Sequence, residues 1–126
     1  MKVGISATIH TTVDKGNTAC TVGSGGLDVF ATPAMSALME RADCEALTDM
    51  LEPGQTSVGA NISVSHAAAS PIGVNVAATA TITAVDGRKI EFAVTACDGA
   101  GEIGNGTHTR FIVDAEKFMS KASTRK

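Results

Sequence analysis

Six places in this 126-residue chain hold residues whose type and surroundings could serve chemistry. Glu40 is the first. At about 100° per residue it falls with Cys44, Leu47 and Leu51, away from the polar side made by Arg41, Glu45, Thr48 and Asp49. A carboxylate on a mostly apolar flank is partly desolvated, which raises its proton affinity and suits nucleophilic or acid–base work. A helix-edge Glu reaching solvent gives the same pattern. Asp43, near the other edge of the apolar stripe, reads the same way. His66 is second. It ends a run in which Val58, Ala60, Ile62 and Val64 share its face, shortly before Pro71. A strand-end His beside a loop can act as a general base near neutral pH. A satisfied core or edge histidine is the plainer reading.

Thr32, just before Pro33, is explained completely as a helix N-cap with proline at the first helical position. Its hydroxyl would still lie where the helix dipole and free N–H groups favour a developing oxyanion. Gly59 interrupts a filled strand face and marks a bulge, a ligand meeting the backbone, or a simple packing glycine. His108 and Arg110 share one face of a strand, where they could meet a phosphate or carboxylate or else lie on a solvated surface.

The elements that must position these residues are legible. Residues 3–13 alternate as a strand does. Residues 14–31 hold four glycines and read as a loop with at most a short strand at Ala19–Val22. The segment 33–51 is the clear helix, with Met35, Leu38, Met39, Ala42 and Ala46 at helical spacing and Glu52-Pro53-Gly54 as its stop. Period two then takes over. A strand through 58–66 is followed by a Pro71/Gly73 break, a second strand through 74–84, the hairpin signal Asp86-Gly87, a third strand from Ile90 to Ala96, and a fourth over 102–113. Asp114 can cap a short last helix over 115–121. One long helix and one antiparallel sheet must cover each other, so the expected class is α+β in a single domain spanning 1–126. A curved sheet wrapped around one central helix is the hotdog arrangement, although the pattern alone admits other helix-on-sheet folds.

Composition narrows the function. Four Phe with no Trp or Tyr give little platform for base stacking, and a net charge of −3 without a basic stripe argues against nucleic acid. Cys20, Cys44 and Cys97 have neither zinc nor disulfide spacing and read as reduced thiols of a cytoplasmic protein. No apolar run approaches a membrane span, and the N-terminus reads as mature from Met1. No metal-binding or phosphate-loop motif is present, so no cofactor is expected.

Val29-Phe30-Ala31-Thr32-Pro33, Leu38-Met39-Glu40, Leu51-Glu52-Pro53-Gly54, Ser57-Val58-Gly59, Val64-Ser65-His66-Ala67-Ala68, and Gly101-Glu102-Ile103-Gly104 to Thr107-His108 follow one another in this order. Together they resemble the fluoroacetyl-CoA thioesterase-like branch of the hotdog thioesterases, over about residues 29–121. The resemblance implies hydrolysis of a short or medium acyl-CoA. It implies catalytic roles for Thr32, Glu40 and His66 and substrate contacts at Gly59 and Arg110. It also implies homodimers with joined sheets and active sites at the subunit interface, leaving open whether dimers pair into tetramers, and no need for a metal. The chain departs from the family in one place. Residues 19–27 are rich in Gly and Ser and hold no aromatic, where the fluoroacetyl-specific enzyme has an aromatic-rich lid. The resemblance therefore leaves the acyl group unassigned. A non-catalytic acyl-CoA-binding protein and a hotdog hydratase/dehydratase are the alternatives, the latter without its usual Asp-x-His pairing.

Overall fold

The computed structural model describes residues 2–125. The elements are β1 (Ser6–Thr12), α1 (Ala19–Val22), α2 (Thr32–Leu47), β2 (Gln55–His66), β3 (Asn75–Asp86), β4 (Lys89–Asp98), β5 (Gly101–Asp114) and α3 (Ala115–Ser123). The five strands form one antiparallel sheet in the order β1-β3-β4-β5-β2. Two tight turns join β3, β4 and β5, the first through Asp86-Gly87, where Gly87 has φ +61°. β2 does not pair with β3, its neighbour in sequence. It pairs with β5 at the far edge, and residues 67–74 cross over between them.

The apolar face of α2 lies in the sheet. Met35, Leu38, Met39, Ala42, Ala46 and Leu47 are buried against Val76, Ala78, Ala80, Ile82, Phe92, Val94 and Ala96. Each large side chain in this set contributes about 1.5–3 kcal/mol by leaving water. The alanines on both sides let helix and sheet approach closely. At Gly104 the approach is closer still. A Cβ there would lie 2.7 Å from the Met35 sulfur and 2.7 Å from the Ser65 carbonyl oxygen. This is the hotdog arrangement expected from the sequence.

Several local features differ from expectation. Ala19–Val22 is one turn of helix capped by the Thr18 hydroxyl, where a short strand was the expectation. The long helix ends at Leu47 and continues as a 3-10 turn over Thr48–Met50. The run from Val58 to His66 does not keep one face. Gly59 pairs with Arg110 and Asn61 with Thr109, so Ala60 is an extra residue in the strand. One inserted residue flips every later side chain. Gly59 therefore faces the helix together with Ile62, Val64 and His66, while Val58 faces away with its partner Phe111. The final helix is capped as expected, the Asp114 side chain accepting from the Lys117 N–H.

Candidate active site

The N-terminus of α2 is stitched to the loop that follows β2. The Phe30 N–H donates to the Ser70 carbonyl at 2.9 Å, Val29 bridges to Pro71, and the Ala31 N–H donates to the Asn17 carbonyl at 2.9 Å. Ser70 is buried and its hydroxyl donates to Asp98 at 2.7 Å, which ties the same loop to the β4–β5 turn. These bonds set Thr32 beside His66, with Thr32 Oγ1 and His66 Nδ1 2.8 Å apart. Thr32 is not the cap that its position suggested. Ala31 is the N-cap residue, no side chain caps the helix, and Thr32 is its first residue. Its hydroxyl bonds His66 instead.

His66 is half-buried, with Phe30 standing edge-on at a centroid distance of 6.5 Å. Burial lowers its proton affinity below the ordinary histidine value, opposed more weakly by the nearby Ala68 backbone. The neutral ring is the form able to take a proton. Its Nε2 has no partner among the described residues. A cleft of about 280 Å³ opens here, lined by Thr32, His66, Phe30, Ser24, Ala67 and Ala68, among others. Pro33 has no N–H, so the Thr32 and Ala34 N–H groups are those left unpaired by the helix in its first turn. They supply positive character at the cleft.

A second cluster sits farther along α2. Glu40 accepts from Arg110 Nη1 at 2.7 Å, its side chain 35% exposed. Arg110 is buried and held from behind. Its Nε donates to the Ser57 hydroxyl at 2.9 Å and its Nη2 to the Ser57 carbonyl at 3.0 Å. Gly59 completes the cluster. A Cβ on it would lie 2.7 Å from Glu40 Oε2, so the carboxylate occupies the space that any other residue would fill. Of the readings open for Gly59, the bulge holds one residue on, at Ala60, and the glycine packs against the Glu40 carboxylate. Of those open for Arg110, the carboxylate partner holds and the solvated face does not. Glu40 is an ion-paired carboxylate at the mouth of a surface cleft formed with Gly59, Ala60, Asn61 and Ile62.

His108 and Asp43 form a third contact, Nδ1 to Oδ2 at 2.6 Å, both buried. Burial pushes the Asp43 carboxyl above the usual range, against the lowering effect of His108. Asp43 was expected at the edge of the apolar stripe and lies fully inside. Its partner is invisible in the sequence, because residues 43 and 108 meet only through the helix-on-sheet packing. Among the described residues, no three His, Cys, Asp or Glu side chains gather as a metal site requires.

The chain thus joins Thr32 to His66, and Glu40 to Arg110 and Gly59, but keeps the two clusters apart. Thr32 and Glu40 are eight residues apart on one helix, about 12 Å along its axis.

A family model described as fluoroacetyl-CoA-specific thioesterase matches residues 13–116. The fluoroacetyl-CoA thioesterase of Streptantibioticus cattleyicolor is 47% identical over 94 residues, which are 75% of this chain and 68% of that protein. A solved structure of the fluoroacetyl-CoA thioesterase FlK matches with a TM-score of 0.94 at 38% identity, over 100% of this chain and 98% of that one. A hypothetical protein of Thermus thermophilus, a thioesterase superfamily member, matches with a TM-score of 0.90 at 25% identity, over 98% of this chain and 91% of that one.

Proposed function

The chain belongs to the fluoroacetyl-CoA-specific thioesterase family and is an acyl-CoA thioesterase; we propose that its substrate is a short or medium acyl-CoA and that two copies of the chain build each active site. The observation that carries the second part is the 12 Å rise between Thr32 and Glu40, which one helix cannot shorten. β2 is an edge strand of 12 residues with Ile62 43% exposed. A long open edge of this kind invites pairing. Two β2 strands meeting antiparallel about an axis near Ile62 and Ser63 set each His66 against the second copy's Gly59. That brings the Glu40 of one copy to the Thr32–His66 pair of the other, in a homodimer with one continuous sheet.

In such a site Glu40 attacks the thioester carbonyl or takes a proton from the water that does, and His66 assists the proton transfer. On the first route a C–O bond forms as the C–S bond breaks, CoA leaves as its thiolate, and water then opens the acyl-Glu40 anhydride. On the second the acid forms directly. Thr32 orients His66 and the substrate, and the Gly59 N–H binds the thioester oxygen. Arg110 holds the Glu40 carboxylate. Single-turnover hydrolysis in oxygen-labelled water detects the first route, since label enters the Glu40 carboxylate only when water opens the anhydride at the Glu40 carbonyl.

The acyl group meets small side chains. Ala19, Ser24, Ala67 and Ala68 line the cleft beside Thr32, while Val22 and Leu27 of the same covering segment are exposed. This supports an acyl group with room to extend beyond two carbons. The three free thiols support a cytoplasmic location, and no helix among the described residues is long and apolar enough to cross a membrane. Release of free CoA thiol across an acyl series that includes fluoroacetyl-CoA tests the reading. Turnover of short or medium acyl-CoA that is lost in E40Q supports it. Tight binding without turnover, or turnover indifferent to E40Q, contradicts it.

A further inference from the structure

Behind the Glu40–Arg110 contact lies an acid–base pair that the proposed reaction does not use. The side chains of Asp43 and His108 are 0% and 1% exposed and meet at 2.6 Å. Asp43 follows Glu40 by three residues on α2, and His108 precedes Arg110 by two on β5. Positions three apart on a helix share a face, as do positions two apart on a strand. The two pairs are therefore successive rungs between the same helix and the same strand. Asp43 Oδ1 and His108 Nε2 have no partner among the described residues, so each group is balanced mainly by the other.

The charges explain why this matters for Glu40. Two carboxylates, Glu40 and Asp43, face one guanidinium, Arg110, across a partly dry interface. Ser57 holds two of the guanidinium nitrogens, which leaves Nη1 as the one directed at Glu40. An unbalanced Asp43 carboxylate would compete for that group, and in a low-dielectric interior the competition is strong. Resting on the assignment of Glu40 as the working carboxylate, we propose that Asp43 and His108 are a positioning pair, sharing one proton as a net-neutral unit and so keeping Arg110 committed to Glu40. His108 is the element that neutralises Asp43. Neither residue touches substrate.

A merely structural pair pins helix to sheet, so orphaning one partner lowers Tm, removing both restores it, and kcat of the folded enzyme stays near the unmodified value throughout. A neutralising pair behaves differently. In H108Q, assayed at a pH high enough to keep the buried Asp43 ionised, the Asp43 charge is orphaned, and kcat falls about 10- to 100-fold with KM within about threefold. In D43N/H108Q no charge is left, and kcat returns to within about fivefold of the unmodified enzyme. D43N costs less than H108Q. The experiment is steady-state hydrolysis by these three variants and E40Q, with Tm measured on each. Should H108Q fail to fold, H108N takes its place with the same expectations for kcat and KM. The proposal is overturned if H108Q keeps its kcat, or if D43N/H108Q is no more active than H108Q. An active E40Q would remove the assignment of Glu40 itself. An inactive E40Q beside an unrescued double variant would remove the role of Asp43 and His108 alone.

Discussion

The two ends of α2 solve different problems. At its first residue, Thr32 and His66 make a hydrogen bond between neutral groups at the ends of their elements, beside an open cleft. Two turns on, Glu40 is charged, held by a buried Arg110, and flanked by an inward Asp43–His108 pair. The first region can exchange protons because burial favours the neutral form of its histidine. The second can hold a negative charge in place because an arginine fixed by Ser57 sits behind it. An acyl transfer needs both properties, and a straight helix keeps them about 12 Å apart. On the proposed reading one chain carries two half-sites, each lacking what the other holds.

Changes that remove one half outright should cost most. E40Q keeps the shape of the carboxylate and removes its charge, and acyl-CoA hydrolysis should fall about 10²- to 10⁴-fold, read as CoA thiol release. G59A acts on the same half by crowding. Its Cβ meets Glu40 Oε2 at 2.7 Å, so the carboxylate must move, and kcat should drop about 10- to 100-fold without loss of fold. At the other half, T32V should cost up to about tenfold and T32S much less, since the loss is one hydrogen bond to His66. The pH profile separates the halves most finely. A base must be deprotonated to act, and the proton affinity of His66 is lowered from the ordinary 6.5. The acid limb of kcat/KM should therefore lie below pH 6.5, with activity lost as pH falls through it. An acid limb above 6.5 would remove His66 from the base role.

The frame is readable in the sequence because each element is locally consistent. Helical spacing from Met35 to Ala46, the Asp86-Gly87 turn and alternation in β3 and β4 agree with the structure. What stays hidden depends on contacts between distant residues. The extra residue at Ala60 breaks no local pattern, since alanine suits either face, yet it decides that Gly59 and His66 both look toward the helix. Thr32 satisfies every rule for a cap, and only the placement of His66 shows where its hydroxyl goes. Asp43 looks like an edge carboxylate until β5 supplies His108. The separation of Thr32 and Glu40 is legible from eight helical residues alone. Similarity of spacing to a known family leads to the same three residues as one trio, which the single chain does not assemble.

If Glu40 of one copy works with the Thr32–His66 pair of another, two inactive variants should complement each other. E40Q and H66A are mixed under conditions that let subunits exchange, and acyl-CoA hydrolysis is measured. In a mixed dimer one site receives both changes and the other receives neither. Equal mixing should restore about a quarter of the unmodified activity, because half of the dimers are mixed and each has one intact site. A mixture that exchanges subunits and stays as inactive as its parents would place all three residues in a single chain's site and contradict the shared active site.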